Sequence, residues 1–199
     1  MKNKRENLTK KKEIINRYNS TFHFYDKRYR RIQYEKYKIV LEDYELNNKK
    51  VLDTGCGTGL LLDFIIPHTD NDYTMNFLYV GTDISIKMLK NNKVKRKNKK
   101  IRSKINLLLA DSENLPIRNN IFDSIFSLTS LQNLPDIAEG LKETIRVVKN
   151  RADLKISILR KKLDFPNFLS LLKPMISEIV VFNNEKIEDV IVQGKALKI

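Results

Sequence analysis

A glycine-rich turn constrains this chain more than any other feature. The stretch VLDTGCGTG, residues 51–59, holds three of the protein's six glycines, at alternate positions. Two aliphatic residues and Asp53 precede these glycines, and GLLLDFII follows, up to Pro67. Because glycine accepts positive φ and lets the backbone approach a ligand closely, we predict a short buried strand, a tight turn and a helix that begins at the turn.

Strand-like and helix-like segments alternate after this turn. Apolar runs that end at Asp83, Asp111 and Leu128 predict strands, and KVLD before the glycines predicts the first one. Amphipathic stretches between these runs predict helices, as does the segment 27–46 ahead of them. The chain closes with a fifth strand, a helix and two strands around an Asn-Asn turn. This order predicts an α/β fold with a parallel sheet, helices over it and an antiparallel pair at one edge.

Three aspartates at the predicted strand ends indicate what the turn holds. Ligands of such sheets bind beyond the carboxyl ends of the strands. Asp83 is placed to accept hydrogen bonds from ribose hydroxyls, and Asp111 can accept from an adenine amino group. Asp53 can bind an ammonium group or brace the turn. The alternative for the same residues is a structural strand–helix turn with capping aspartates.

The spacing of the glycines argues against other nucleotide ligands. The dinucleotide pattern G-x-G-x-x-G requires glycine at position 60, where leucine stands, and no P-loop pattern is present. A nucleoside with an amino-acid tail and no phosphate satisfies all three carboxylates. S-adenosylmethionine is such a molecule, and its carboxylate suits a helix N-terminus.

Four segments in order, VLDTGCGTG, GTDIS, ADSENLPIRNNIFDSI and LKETIRVVK, resemble the motifs of class I S-adenosylmethionine-dependent methyltransferases. The resemblance covers about residues 25–160. It points to the branch with the ubiquinone-biosynthesis and tRNA wobble-uridine carboxyl methyltransferases. It implies a Rossmann-like, seven-stranded, mostly parallel sheet of order 3-2-1-4-5-7-6 with an antiparallel edge hairpin and helices on both faces. The segment KNRAD, 149–153, departs from the pattern because it lacks the usual glycine pair before strand five.

The resemblance also implies a set of residues that bind S-adenosylmethionine. The set for the methionine end, ribose, adenine and sulfonium is Asp53, Gly55, Cys56, Gly57, Gly59, Asp83, Ile84, Asp111, Ser112, Leu128 and Thr129.

Candidates for contact with the methyl acceptor lie in two segments. His23, Tyr25 and Tyr29 precede the first strand, a region that commonly folds over the cofactor in this fold, and Gln132 and Asn133 follow strand four. Core packing and helix capping are the alternatives for these residues. His68 lies on the wrong side of the first helix for chemistry. No residue is identified as a catalytic base, and a carboxylate or ring-nitrogen acceptor would need none.

The charge of the chain raises the question of partners. The formal net charge is +14, and residues 87–104 hold ten lysines and arginines and no acid. Such a surface can grip RNA phosphates, although solvated lysines need no ligand. We therefore expect an RNA acceptor, tRNA in particular. A small acceptor, such as a quinone precursor or metabolite, and a non-catalytic methyltransferase-like subunit are the alternatives. The apolar edge strand 105–109 is a candidate surface for a small activating subunit.

The organisation expected is a basic, partly disordered segment over 1–24 and a single methyltransferase domain over 25–199. One cysteine and no long apolar run favour a cytoplasmic protein without a membrane span. Two histidines and one cysteine show no metal-ligand spacing, so no metal is expected.

Overall fold

The computed structural model of the chain describes residues 2–66, 76–92, 101–162 and 164–198. Seven strands form one sheet. In chain order they are β1 (Lys50–Thr54), β2 (Leu78–Asp83), β3 (Ile105–Leu109), β4 (Phe122–Leu128), β5 (Val148–Leu159), β6 (Ile176–Phe182) and β7 (Asp189–Ala196). The helices are α1 (Lys2–Val40), α2 (Leu60–Ile65), α3 (Ile86–Lys90), α4 (Ile137–Val147) and α5 (Phe165–Leu172).

The strand order is β3-β2-β1-β4-β5-β7-β6. Strands β1 to β5 run parallel to one another, and β7 is antiparallel to both β5 and β6. The predicted fold class and strand order are thus confirmed. The carboxyl ends of β1, β2, β3 and β4 meet at one edge, where a ligand of this fold is expected.

Two apolar clusters hold the helices on the two faces of the sheet. On one face Leu141 of α4 and Phe168 of α5 pack with Ile125 and Ile156. On the other face, α1 contributes Tyr37 and Val40, and α2 contributes the leucine run that follows the glycine turn. Within the described ranges, no helix is both long enough and apolar enough to cross a bilayer.

Three elements differ from the sequence prediction. Helix α1 begins at Lys2 and ends at Val40, so the segment expected to be partly disordered is helical through residue 24. FPNFLSLLKPMI predicts a helix over 165–176 with a bend at Pro174, whereas α5 ends at Leu172, before that proline. Strand β5 begins at Val148 and includes the residues that lack the glycine pair. There Arg151 adopts φ 59° beside a register shift, a conformation that glycine adopts at lower cost.

Candidate functional site

The amino-terminal half of α1 lies across the carboxyl edge of the sheet. Lys11 Nζ forms ion pairs with Asp111 at 2.6 Å and Glu113 at 2.5 Å, both just beyond β3. Further along α1, Asn19 accepts a hydrogen bond from the Ser85 hydroxyl at 2.7 Å, and Tyr18 accepts from the Asn133 amide at 3.0 Å. These contacts reach the loops after β2, β3 and β4, so the amino-terminal half of α1 covers that edge of the sheet.

A cleft lies between the amino-terminal half of α1 and the strand ends. Residues of α1 form one wall, and the glycine turn and the ends of β2, β3 and β4 form the other. Most of the predicted cofactor residues line this cleft, namely Gly55, Gly57, Asp83, Ile84, Asp111, Ser112, Leu128 and Thr129. The topology therefore brings together residues from four separate strand ends.

Three predicted cofactor residues do not line the cleft. Asp53 is buried beneath the turn, where it accepts a hydrogen bond from the Tyr79 hydroxyl at 2.6 Å. Cys56 is buried against Gly81, and Gly59 is the left-handed residue before α2, packed on Asn92. The side chains of Asp53 and Cys56 are buried in the protein, and Asn92 fills the space beside Gly59. In this structure the three residues therefore shape the turn and do not face the cleft. For Asp53, this matches the bracing role that the sequence left open.

Both carboxylate oxygens of Asp83 are held by backbone donors. Its two oxygens accept hydrogen bonds from the backbone N–H of Gly57 at 2.9 Å and of Ser85 at 2.7 Å. Burial raises the pKa of Asp83 above its ordinary value, although these backbone N–H groups oppose that change. Each carboxylate oxygen has a second lone pair. Asp83 can therefore receive two hydroxyl donors while it keeps its backbone bonds.

Gly57 provides a test of whether the cleft suits an adenosyl ligand. Its φ is 56°, and a Cβ built there would meet no protein atom within 4 Å. Glycine is thus required by the backbone conformation and leaves open space that borders Asp83. The two cleft carboxylates can accept hydrogen bonds from the ribose and the adenine amino group of S-adenosylmethionine, and the bare backbone at Gly57 leaves room for the ligand beside them.

A second cavity of about 500 Å³ adjoins the cleft. Tyr18, Tyr25, Thr129 and Asn133 border both spaces, so the two are neighbours across one wall. Of the acceptor candidates predicted from sequence, Tyr25, Tyr29, Gln132 and Asn133 line this cavity. His23 is exposed and borders neither space, because it lies on the outer face of α1. His68 lies outside the described residues.

Thr129 lies where the cleft and the second cavity meet, and its backbone has an unusual conformation. Its φ is 55°, which is rare for a β-branched residue. The Lys36 ammonium donates to its hydroxyl, and that hydroxyl donates to Asp189 at 2.8 Å. Asp189 also accepts from Lys36 at 2.8 Å and from Ser157 at 2.8 Å. Burial lowers the pKa of Lys36, and Asp189 opposes that change.

Sequence reasoning missed the part of the site that α1 supplies. Lys11, Ile14 and Tyr18 line the cleft, and Gln33 lines the second cavity. Ile14, Tyr18 and Tyr25 are spaced by four and seven residues, which places them on one helical face. The sequence contains this spacing, but the polar residues between these three positions mask the apolar face of the helix.

A Rossmann-like sheet of this order, with its cleft at the ends of β1 to β4, defines the fold of class I S-adenosylmethionine-dependent methyltransferases. The chain belongs to the ubiE/COQ5 methyltransferase family, whose sequence model matches residues 8–166. The recognition made from the four motifs is therefore confirmed.

Individual relatives agree with this assignment. The chain is 30% identical over 147 residues to the "ubiquinone/menaquinone biosynthesis C-methyltransferase UbiE" of Rickettsia prowazekii (strain Madrid E). That match covers 71% of this chain and 59% of the relative, so the chain spans little more than half of the relative's length.

Two solved structures share the fold at low sequence identity. One is a putative S-adenosyl-L-methionine-dependent methyltransferase from Methanococcus maripaludis, with TM-score 0.71, 16% identity and coverage of 92% of this chain and 93% of the other. The second is magnesium protoporphyrin IX methyltransferase from Synechocystis PCC 6803 with bound S-adenosylmethionine. Its TM-score is 0.69 at 16% identity, over 94% of this chain and 97% of the other.

Proposed function

We propose that this protein is an S-adenosylmethionine-dependent methyltransferase that acts on a small molecule. The observation that carries the proposal is the pair of adjoining spaces that meet at Thr129. One has the carboxylates for an adenosyl ligand, and the other is a cavity of about 500 Å³. Small-molecule sites commonly measure roughly 300–1,000 Å³. The name of the Rickettsia relative, a quinone-biosynthesis enzyme, supports the same class of acceptor.

The residues of the cleft suggest how the donor would be held. Asp83 would accept from the ribose hydroxyls, Asp111 and Ser112 would border the adenine, and the backbone at Gly55 and Gly57 would border the methionine end. When bound, S-adenosylmethionine would supply an electrophilic methyl group: an acceptor electron pair would form the new bond, the carbon–sulfur pair would stay on sulfur, and a proton carried by the acceptor atom would pass to solvent water.

The protein's own contribution to the reaction is chiefly orientation. Thr129 is held by Lys36 and Asp189 through its hydroxyl and by Ser157 of β5 through its backbone N–H, so the wall between donor and acceptor has little freedom. Holding two reactants in line can supply up to roughly 7–11 kcal/mol of a barrier. A rigid junction residue serves that purpose better than a mobile one.

The expectation of an RNA acceptor receives less support than the small-molecule alternative. It rested on net charge and on the basic run 87–104, and residues 93–100 of that run lie outside the described residues. The relative named above is associated with quinones rather than with RNA. A non-catalytic subunit is disfavoured because the cleft retains both Asp83 and Asp111.

The proposal is tested with Asp83→Asn and a matched control, Asp123→Asn. Asp123 lies near the amino end of β4, at the opposite edge of the sheet, where it pairs with Lys149 at 2.6 Å. We expect Asp83→Asn to weaken S-adenosylmethionine binding at least about tenfold in calorimetric titration, since a hydrogen bond to a charged group contributes about 1.5–3 kcal/mol. Asp123→Asn should bind as the wild type does.

Transfer is measured separately, with tritiated methyl donor and a small-molecule extract or total tRNA as acceptor. Label in the small-molecule fraction supports the proposal. Absence of donor binding by the wild-type protein would refute the methyltransferase activity, and label confined to tRNA would refute the acceptor class.

A further inference from the structure

A buried ion pair lies beside the wall that separates the cleft from the second cavity. The Lys36 ammonium of α1 and the Asp189 carboxylate are 2.8 Å apart, and their side chains are 2% and 3% exposed. Asp189 begins β7 opposite Leu159, the last residue of β5, which places it at the carboxyl edge of the sheet. Taking two charges out of water is costly, and well-packed apolar side chains often serve stability as well or better. Stability alone therefore does not account for this pair.

The two oxygens of Asp189 differ in their hydrogen bonds. Lys36, Thr129 and Ser157 each donate to Oδ2 at 2.8 Å. Among the residues that the structure describes, none donates to Oδ1, and Asp189 lines the second cavity. Oδ1 can therefore accept a proton from a molecule in that cavity, while the three bonds to Oδ2 fix the orientation of the carboxylate.

Thr129 connects this carboxylate to the donor cleft. It lines both spaces, and its hydroxyl donates to Asp189. The carboxylate is thus one hydrogen bond from the wall that donor and acceptor would share. The backbone N–H of Thr129 donates to the Ser157 hydroxyl at 3.0 Å, and the φ of 55° is a costly conformation that such contacts maintain. Strain of this kind is concentrated at functional sites.

The charges around Asp189 favour its ionised form, which is the form that accepts a proton. The Lys36 ammonium is within hydrogen-bond distance, and an opposite charge so close stabilises a carboxylate. The other charged side chains that line the cavity are four basic and one acidic, namely Arg17, Arg28, Lys161, Lys162 and Glu188. Their net charge acts in the same direction. Burial raises the pKa of Tyr18, Tyr25 and Tyr37, so these neighbouring tyrosines stay neutral near pH 7.

We propose that Asp189 is the catalytic base of the methyl transfer and that Lys36 is the residue that positions it. The acceptor atom gives its proton to Oδ1 of Asp189, the electron pair of that atom forms the bond to the methyl carbon, and the pair of the broken carbon–sulfur bond stays on sulfur. Asp189 then releases the proton to solvent water. This inference rests on the proposed function, and it requires an acceptor whose reacting atom carries a proton at neutral pH.

The initial rate of tritiated methyl transfer to a small-molecule extract tests the role of Asp189. We expect Asp189→Asn to lower this rate about 100-fold or more, since a positioned base commonly contributes roughly 10²–10⁴-fold. Lys36→Met/Asp189→Asn removes both buried charges, so it should fold and bind S-adenosylmethionine as wild type does in calorimetric titration, yet transfer as slowly. Asp153→Asn is the matched control, because Asp153 also pairs with a lysine, Lys49 at 3.0 Å, but near the amino edge of the sheet. It should transfer at the wild-type rate.

Added formate distinguishes a carboxylate that takes a proton from one that only supports the structure. Asp189→Ala leaves space for this small carboxylate beside Thr129, so sodium formate should restore part of the rate in that variant. It should restore none in Asp189→Asn, because the amide fills the same space. Sodium chloride at equal ionic strength is the control, and it should restore neither variant.

Lys36→Met tests the positioning role through the pH profile of the same transfer rate. Without the ammonium, Asp189 keeps its proton to higher pH, so the pH of half-maximal rate should rise by about one unit or more. Lys49→Met removes a lysine that pairs with a carboxylate far from the cavity, and it should leave this pH unchanged.

A rate within about tenfold of wild type in Asp189→Asn or in the double variant, no restoration by formate, or an unchanged pH of half-maximal rate in Lys36→Met would overturn the inference. Donor binding and wild-type transfer test the proposed function separately. If wild type and Asp189→Asn both transfer label, the methyltransferase proposal stands and only the base is wrong. If wild type transfers none, the proposed function fails and this inference fails with it.

Discussion

At the scale of single residues, burial decides what Asp53 does. Sequence reasoning placed it with Asp83 and Asp111 because all three end or follow strands. The structure separates them, since Asp53 packs on Tyr79 under the turn while the other two border the cleft. Burial raises the pKa of Asp53 to about 7, the charge of Asp83 adds to this, and the Tyr79 hydrogen bond opposes it. Spacing along the chain cannot reveal which side of a turn a carboxylate faces.

This pKa predicts how stability changes with pH. The folded protein holds a proton on Asp53 that the unfolded chain, with a pKa near 3.8, has already released. The free energy of unfolding should therefore fall as the pH rises between these two values. Asp53→Asn removes the titration and keeps an oxygen for Tyr79. We expect its stability relative to wild type to improve by on the order of 2 kcal/mol between about pH 5 and pH 7.5, measured by urea unfolding.

Asp123→Asn supplies the contrast for this measurement. The pKa of Asp123 is lowered, because its bonds to Lys149 and the Lys50 N–H outweigh its partial burial. Its stabilising effect is complete above its unfolded pKa, so the difference between Asp123→Asn and wild type should be flat across the same range. A flat difference for Asp53→Asn as well would show that this carboxyl is ionised throughout.

At the scale of elements, apolar runs predicted the sheet, and polar segments concealed the first half of α1, whereas the second half was predicted within the segment 27–46. Buried parallel strands have continuous apolar sequences, so β1, β2 and β4 could be located from the sequence alone. The early start of β5 could not, because Asn150 and Arg151 are exposed polar residues in its irregular part. Helix α1 binds the sheet edge through long-range polar contacts, such as Lys11 with Asp111, and these leave no periodic pattern.

Helix α1 should respond unevenly to the cofactor. Its carboxyl-terminal part is anchored in the core by Tyr37 and Val40, whereas residues 5–24 hold few buried side chains. We expect amide hydrogen exchange to be faster over residues 5–24 than over 30–40, and S-adenosylmethionine to slow exchange in the first segment only, since Ile14 and Tyr18 line its cleft. Unchanged exchange over residues 5–24 at saturating cofactor would show that this half of α1 does not contact the bound donor.

At the scale of the whole molecule, charge and shape suggest different partners. Thirty-eight basic residues against 24 acidic ones will attract any polyanion. The cavity beside the cleft, by contrast, measures about 500 Å³, a volume that matches a small acceptor. The apolar edge strand β3, where Leu109 is 52% exposed, remains a proposed surface for a partner subunit. The cavity is the more specific feature, because net charge does not select a partner.

This contrast predicts RNA binding without RNA methylation. We expect total tRNA to bind through its phosphates, and the affinity to fall steeply between about 50 and 200 mM salt, as counterion release requires. Lys95→Gln/Arg96→Gln/Lys97→Gln, within the basic run, should flatten the logarithmic salt slope by about 2–3, as three lost phosphate contacts would. Methyl transfer to the small-molecule fraction should be the same in this variant as in wild type. Transfer of labelled methyl to tRNA that falls with the same substitutions would instead assign a catalytic purpose to the charge, and the cavity would no longer define the acceptor.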